Sequence, residues 1–131
     1  MPPRILITRK LPQAVETRAA ASFDICPNLN DGLMDQASLV AMAAGADGIL
    51  ATVTDRLDAA TVKALPLSIK IIASFSVGTD HIDLEAAKAR GIVVTNTPDV
   101  LTDATADIAL LLMLGAARGA ASGMAAIRDN T

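Results

Sequence analysis

The chain has 131 residues, enough for one ordinary domain with a hydrophobic core. Its net charge of −3, from 11 Lys and Arg against 14 Asp and Glu, speaks against a nucleic-acid partner, which usually selects a basic face. Hydrophobic residues make up 52% of the chain, with only two Phe and no Trp or Tyr. The core must therefore be aliphatic, and part of the apolar surface is expected to meet another chain or further protein.

Met1-Pro2-Pro3-Arg4 leads straight into Ile5-Leu6-Ile7, too short an apolar stretch for a secretory signal. The longest apolar run, Ile108 to Ala117, falls far below the ~20 residues of a membrane span, so no membrane partner is expected. The one cysteine, Cys26, cannot form an internal disulfide, which favours a reducing, cytoplasmic setting. Placed before Pro27 at the end of an apolar segment, it reads as a small buried hydrophobe rather than a nucleophile.

In chain order, Arg4–Thr8 reads as a short buried strand and Pro12–Ala21 as a helix with Pro12 in its first turn. Phe23–Cys26 reads as the second strand, followed by an Asn- and Asp-rich loop, Pro27–Gly32. Gln36–Ala44 is a predicted helix closed by Gly45 in the left-handed conformation, and Gly48–Ala51 is the third strand. Ala59–Leu65 is a helix with Asp58 as N-cap and Pro66 as stop. Lys70–Ser74 is the fourth strand. Leu84–Arg90 is a helix capped by Asp83 with Gly91 beyond its end, and Ile92–Thr95 is the fifth strand. Five strands alternating with helices predict an α/β fold: a flavodoxin-like, doubly wound parallel sheet of order 2-1-3-4-5.

The next helix, about Thr102 to Arg118, is apolar nearly all round, so both its faces are expected to be buried. Beyond it, Gly119–Thr131 is weakly amphipathic and a poor ending for an autonomous domain. Gly115, Gly119 and Gly123 are spaced by four and follow no strand, so they read as small-residue helix packing rather than a phosphate fingerprint.

Ligands of open α/β sheets bind beyond the carboxyl ends of the strands. Four turns lie there: Thr8-Arg9-Lys10, Thr52-Val53-Thr54-Asp55, Phe75-Ser76-Val77-Gly78-Thr79 and Asn96-Thr97-Pro98-Asp99. The turn after strand four is the best candidate. Gly78 is expected to allow close backbone approach and unusual dihedrals, and the amides of Val77, Gly78 and Thr79 could donate jointly to an anion. The same residues also read as a plain tight turn with Asp83 as a helix cap. His81, the sole histidine, reads as a structural or surface residue. One histidine with scattered carboxylates cannot build the usual metal site. The chain has no Ser-His-Asp or Cys-His set, no GxSxG, no GxGxxG and no GxxxxGK[ST]. A receiver domain needs acidic residues where Thr8, Arg9 and Lys10 stand. A flavodoxin needs a phosphate loop there, and Leu11-Pro12 intervenes.

The segment SFSVGTDHIDLEAAKARGIVVTNTPDVLTDATADIALLLML, Ser74 to Leu114, closely resembles the D-isomer-specific 2-hydroxyacid dehydrogenases. The nearest branch is glyoxylate/hydroxypyruvate reductase, through VGTDHID and NTPDVLTDATAD. The resemblance implies two α/β domains in the whole enzyme. Residues 1–98 would be the N-terminal segment of the flavodoxin-like substrate domain, closed by a C-terminal return segment. Residues 99–131 would be the linker and opening helix of an NAD(P)-binding domain. It also implies that the Val77 and Gly78 amides hold the substrate carboxylate, that Thr52 and Val53 line the same pocket, that Pro98–Leu101 crosses into the cofactor domain with Leu101 at the cofactor, and that Thr105 lies near the nicotinamide end. The Thr102–Arg118 helix would pack in a dimer interface. The implied cofactor is NADH or NADPH, and the implied substrate a small 2-oxo or 2-hydroxy acid such as glyoxylate or hydroxypyruvate.

The chain departs from the family by lacking the glycine-rich dinucleotide motif and the later Arg, Glu and acid/base His. His81 does not occupy that histidine's place. No catalytic residue is assigned within the chain, and alone it is expected not to catalyse. Gly119–Met124 also lacks the charged residues common there. The alternative is a non-enzymatic flavodoxin-like module that binds or self-associates.

Overall fold

The computed structural model describes residues 1–130 and divides into two compact units, Met1–Pro98 and Asp99–Thr131. The first contains β1 (Arg4–Ile7), α1 (Gln13–Ala20), β2 (Asp24–Pro27), α2 (Gln36–Met42), β3 (Gly48–Ala51), α3 (Ala59–Ala64), β4 (Ile71–Ser74), α4 (Leu84–Ala89) and β5 (Val93–Thr95). All strand pairs are parallel, in the order β2-β1-β3-β4-β5. The α/β fold and strand order expected from the alternation are those observed.

Side chains alternate across a strand, and the register sorts them into two faces. Leu6, Ile49 and Ile72 pair across β1, β3 and β4 and are at most 1% exposed. They form one core with Leu39, Ala43, Val62, Leu65, Ala86 and Ala87 from α2, α3, α4 and their ends. Full burial of each large aliphatic side chain contributes about 1.5–3 kcal/mol. On the opposite face, Ile7 is covered, whereas Ile5, Leu50, Ile71 and Ala73 are only half-buried. They floor an open trough of about 900 Å³ with Ala19 of α1 and Phe23 beside it. Helices therefore cover one face fully and the other only near α1. The trough is lined mainly by apolar residues. It lies toward the N-terminal ends of the strands, away from the edge where open α/β sheets take ligands.

The helix ends follow local chemistry. Asp58 and Asp83 cap α3 and α4 as expected, accepting the Thr61 and Ala86 amides at 2.9 and 2.8 Å, and Asp35 caps α2 through Ser38 at 2.8 Å. Gly45 and Gly91 have φ of +75° and +67°, so both take the left-handed conformation. The Arg90 guanidinium donates to the Leu65 carbonyl at 2.8 Å and the Pro66 carbonyl at 3.1 Å, satisfying orphan acceptors past α3. Pro12 stands at the N-cap of α1, one residue before the expected first turn. Pro27 closes β2, which tolerates it as an edge strand. Cys26 is half-buried rather than buried, because β2 is that edge.

The second unit contains α5 (Thr102–Ala117) and α6 (Ala120–Asp129). The expectation that both faces of the apolar helix are buried does not hold in this chain. No residue of α5 is buried, and Ile108, Leu110, Leu111, Leu112, Met113 and Leu114 are each at least 55% exposed. A two-helix unit has too few elements to enclose a helix apolar on every side. The doubtful tail forms α6, consistent with its alanine content. Gly119 serves differently from the packing role expected of it. Its φ of +62° breaks the two helices at an angle of 66°. Gly115 does lie in packing range, since a Cβ there would sit 3.9 Å from Ala120 Cβ, while a Cβ at Gly123 would meet nothing.

Candidate functional site

β3 and β4 are paired at Ala51 and Ser74, so the loops that leave them emerge side by side at the carboxyl edge of the sheet. The Phe75 amide still bonds the Ala51 carbonyl at 2.7 Å. Past that point the chain turns, and three successive carbonyls are tied to protein donors. Ser76 O accepts from the Thr97 amide at 2.9 Å. Val77 O accepts from Asn96 Nδ2 at 2.7 Å. Gly78 O accepts from Ser76 Oγ at 2.6 Å. No peptide bond is cis among the described residues, and in a planar trans peptide the N–H points opposite to the C=O. Anchoring these carbonyls therefore aims the amides of Val77, Gly78 and Thr79 away from their anchors, and none of the three donates to another group among the described residues.

Gly78 matters for a different reason from the one expected. Its φ is not in the left-handed region, so the turn does not need glycine for its dihedrals. A Cβ there would meet only Asp80 Oδ2, at an ordinary 3.7 Å. What glycine contributes is a bare, exposed backbone surface beside the free amides.

The β3 loop is built on a buried carboxylate. Asp55 is 3% exposed, and its Oδ2 accepts the Thr52 amide at 2.7 Å and the Thr8 hydroxyl at 2.5 Å. The Asp55 amide returns a bond to Thr52 O at 3.1 Å. Thr52 Oγ1 lies 2.9 Å from Thr54 Oγ1, which also accepts from Arg9 at 3.0 Å. Arg9 Nε and the Lys10 amide both bond Asp31 Oδ1 at 2.8 Å. The Arg9 guanidinium holds the Asp31 carboxyl below the ordinary aspartate value, and Asp31 in turn raises Arg9. Val53 projects into solvent at 63% exposure. The Asp55 network was missed from the sequence. Its one legible sign is an aspartate four residues past a wholly apolar strand.

Val77, Gly78, Thr52 and Val53 thus share one edge of the first unit. Leu101 and Thr105 belong to the second, where the Thr105 hydroxyl bonds Leu101 O at 2.8 Å across the first turn of α5. That bond is internal to the helix, and the residues present make no cradle that fits a dinucleotide: no glycine-rich strand-to-helix turn of the required spacing exists among the described residues. The Asp58, Asp80, His81 and Asp83 side chains line a cleft of about 370 Å³ on the first unit. No three metal-ligating side chains converge among the described residues.

A family model for the catalytic domain of D-isomer specific 2-hydroxyacid dehydrogenases matches residues 5–128. The chain belongs to this family. The family is one of NAD-dependent oxidoreductases, as the resemblance in the β4–α5 segment implied. Glycerate dehydrogenase of Hyphomicrobium methylovorum is 42% identical over 128 residues, covering 98% of this chain and 40% of the relative. Glyoxylate reductase of Thermococcus onnurineus is 37% identical over 118 residues, covering 90% and 35%. Among solved structures, an NADPH-dependent glyoxylate/hydroxypyruvate reductase from Sinorhizobium meliloti, in complex with NADP and malonate, superposes with a TM-score of 0.70 at 37% identity. That match covers 88% of this chain and 34% of the other. The chain therefore spans 34–40% of the length of these relatives.

Proposed function

We propose that this 2-hydroxyacid dehydrogenase chain supplies the carboxylate grip of an NAD(P)-dependent enzyme that reduces small 2-oxo acids such as glyoxylate or hydroxypyruvate. The observation that carries the reading is the Val77–Thr79 turn, with three free amides set by three anchored carbonyls. Aimed backbone N–H groups suit a carboxylate, and a site without a side chain at Gly78 lets it approach closely. Thr52 and Val53 line the neighbouring wall. Relatives named glyoxylate reductase and a reductase carrying the dicarboxylate malonate favour the same ligand class.

Leu101 and Thr105 belong, in this reading, to the cofactor side of the enzyme, with the choice between NAD and NADP made by residues outside this chain. Residues 1–98 form the substrate-domain segment, and residues 99–131 lead into the cofactor domain. The trough over Ile5, Leu50, Ile71 and Ala73 seats the return segment that closes the substrate domain. The exposed face of α5 packs against a second copy. His81, the sole histidine, is bonded to Ser74 in the β4 turn and is no counterpart of the family's acid/base histidine, so in this reading the chain does not catalyse alone. A reducing, cytoplasmic location accords with the single Cys26.

The test is a titration of ¹⁵N-labelled chain with oxalate, a non-reacting dicarboxylate, against chloride at equal ionic strength. The Val77, Gly78 and Thr79 amides are expected to shift together and saturate with oxalate only. Shifts confined to other residues would remove the turn from the substrate site. NAD(P)H-dependent glyoxylate reduction by the pure 131-residue chain would overturn its proposed incompetence.

A further inference from the structure

The turn that presents the free amides is tied to His81 by a chain of hydrogen bonds whose direction can be worked out by counting protons. Gly78 O is a carbonyl and can only accept, so the Ser76 hydroxyl proton is spent on it at 2.6 Å. Ser74 Oγ lies 2.5 Å from Ser76 Oγ. With the proton of Ser76 used, Ser74 must donate to Ser76. Ser74 then has no proton left, and its remaining neighbour, His81 Nε2 at 3.0 Å, must donate to it. The relay runs His81 to Ser74 to Ser76 to Gly78 O. An imidazolium donates through the same nitrogen, so the direction is the same in both protonation states.

The first two members of the relay are held. Ser74 is 3% exposed at the end of β4. The His81 backbone is pinned by the Leu57 amide, which donates to His81 O at 2.9 Å, and by the Leu57–Ile82 bridge beside it. The far end orients the peptide between Gly78 and Thr79: drawing Gly78 O toward Ser76 turns the Thr79 N–H the other way.

We infer that His81 is a positioning residue. Through Ser74 and Ser76 it sets the Gly78–Thr79 peptide and so the outermost amide of the carboxylate grip. This role rests on the proposed carboxylate site, but the relay itself can be tested independently.

The test uses the full 131-residue chain. Long-range ¹H–¹⁵N spectra of His81 at alkaline pH should show a proton on Nε2 and none on Nδ1. A neutral Nδ1–H form would overturn the relay. Replacing His81→Ala, and separately Ser76→Ala, should move the Thr79 amide resonance and weaken oxalate binding about fivefold to tenfold, the effect of one lost hydrogen bond. His81→Gln places a donor near the Nε2 position and should restore most of the affinity. Unchanged Thr79 resonance and oxalate affinity in both alanine variants would refute the inference, as would failure of glutamine to restore what alanine loses. Absence of oxalate binding in the unsubstituted chain would instead refute the carboxylate reading, leaving the His81 tautomer and the Thr79 shift to decide the relay. Unchanged β1 amides serve as the control for folding.

Discussion

Thr8 and Asp55 meet inside the protein: the Thr8 hydroxyl donates to Asp55 Oδ2 at 2.5 Å, and neither residue is more than 3% exposed. One carboxylate thereby joins the end of β1 to the loop after β3, because the same oxygen takes the Thr52 amide. Buried donors stripped of their acceptor cost more than the bond they lose. Asp55→Ala, which takes the acceptor from the Thr52 amide and leaves the Thr8 hydroxyl only Leu50 O at 3.3 Å, should destabilise the first unit by about 2–3 kcal/mol. Thr8→Val, which removes one donor and keeps the shape, should cost about 1–2 kcal/mol. Urea unfolding of the chain measures both, and an effect of Asp55→Ala smaller than that of Thr8→Val would contradict the network.

Gly48 is a matter of space. A Cβ there would stand 2.7 Å from Ile71 Cγ2, 3.1 Å from Ile5 Cδ1 and 3.3 Å from the Ile71 carbonyl. The Ile71 methyl is fixed by its own β-branch on a paired strand. Gly48→Ala should therefore lower stability by about 1–3 kcal/mol, as overpacking does. An unchanged melting temperature would show that β3 and β4 separate more easily than this register implies.

Gly78 should behave in the opposite way. Its φ is outside the left-handed region and a Cβ would make only an ordinary contact with Asp80 Oδ2 at 3.7 Å, so Gly78→Ala should leave stability within about 0.5 kcal/mol, as for an unstrained surface substitution. Its methyl group would stand where a ligand must approach. Oxalate affinity should fall at least about tenfold, equivalent to 1.4 kcal/mol. Retained affinity at unchanged stability would mean that the ligand does not contact this backbone.

Three aspartates make acid stability predictable. Asp31 is held below the ordinary aspartate value first by the Arg9 side chain, Asp35 by Ser38, and Asp58 by the Thr61 amide and then Gln36. A depressed value means that the folded state binds fewer protons than the unfolded one. The stabilisation is present above the unfolded-state pKa of about 3.9 and is lost as pH falls through the depressed values. The urea midpoint should stay level from neutral pH to about 5 and drop below about 4. Asp58→Asn keeps an N-cap acceptor but cannot titrate, so it should shrink the drop. An unaltered acid limb would remove Asp58 from the account.

The exposed leucines of α5 predict association. Light scattering across a concentration series should show a dimer, and Leu111→Glu should shift it toward monomer by at least about tenfold in Kd, given the cost of burying an unpaired charge. A monomer at all concentrations would leave α5 without the partner copy proposed for it.

Much of the architecture could be read in the linear order of residues. Short apolar runs alternating with capped helical stretches implied β2-β1-β3-β4-β5, and Asp58 and Asp83 cap where they were expected to, because capping depends on residues three apart in sequence. The VGTDHID and NTPDV segments also carried the resemblance to the family whose model matches residues 5–128. Less legible were Asp55, which acts through Thr8 across 47 residues, and the relay from His81, whose members are spread between Ser74 and His81 on either side of a turn. Nor did hydropathy foretell that α5 would lie exposed, since an apolar surface does not say which molecule covers it.

What the sequence determined by itself is therefore local or statistical: element types, caps, the order of a parallel sheet and membership of the 2-hydroxyacid dehydrogenases. Only the tertiary structure decided how the Val77–Thr79 amides are aimed. Their direction comes from three carbonyls held by Thr97, Asn96 and Ser76, and peptide planarity turns those distant anchors into the orientation of the opposite N–H groups.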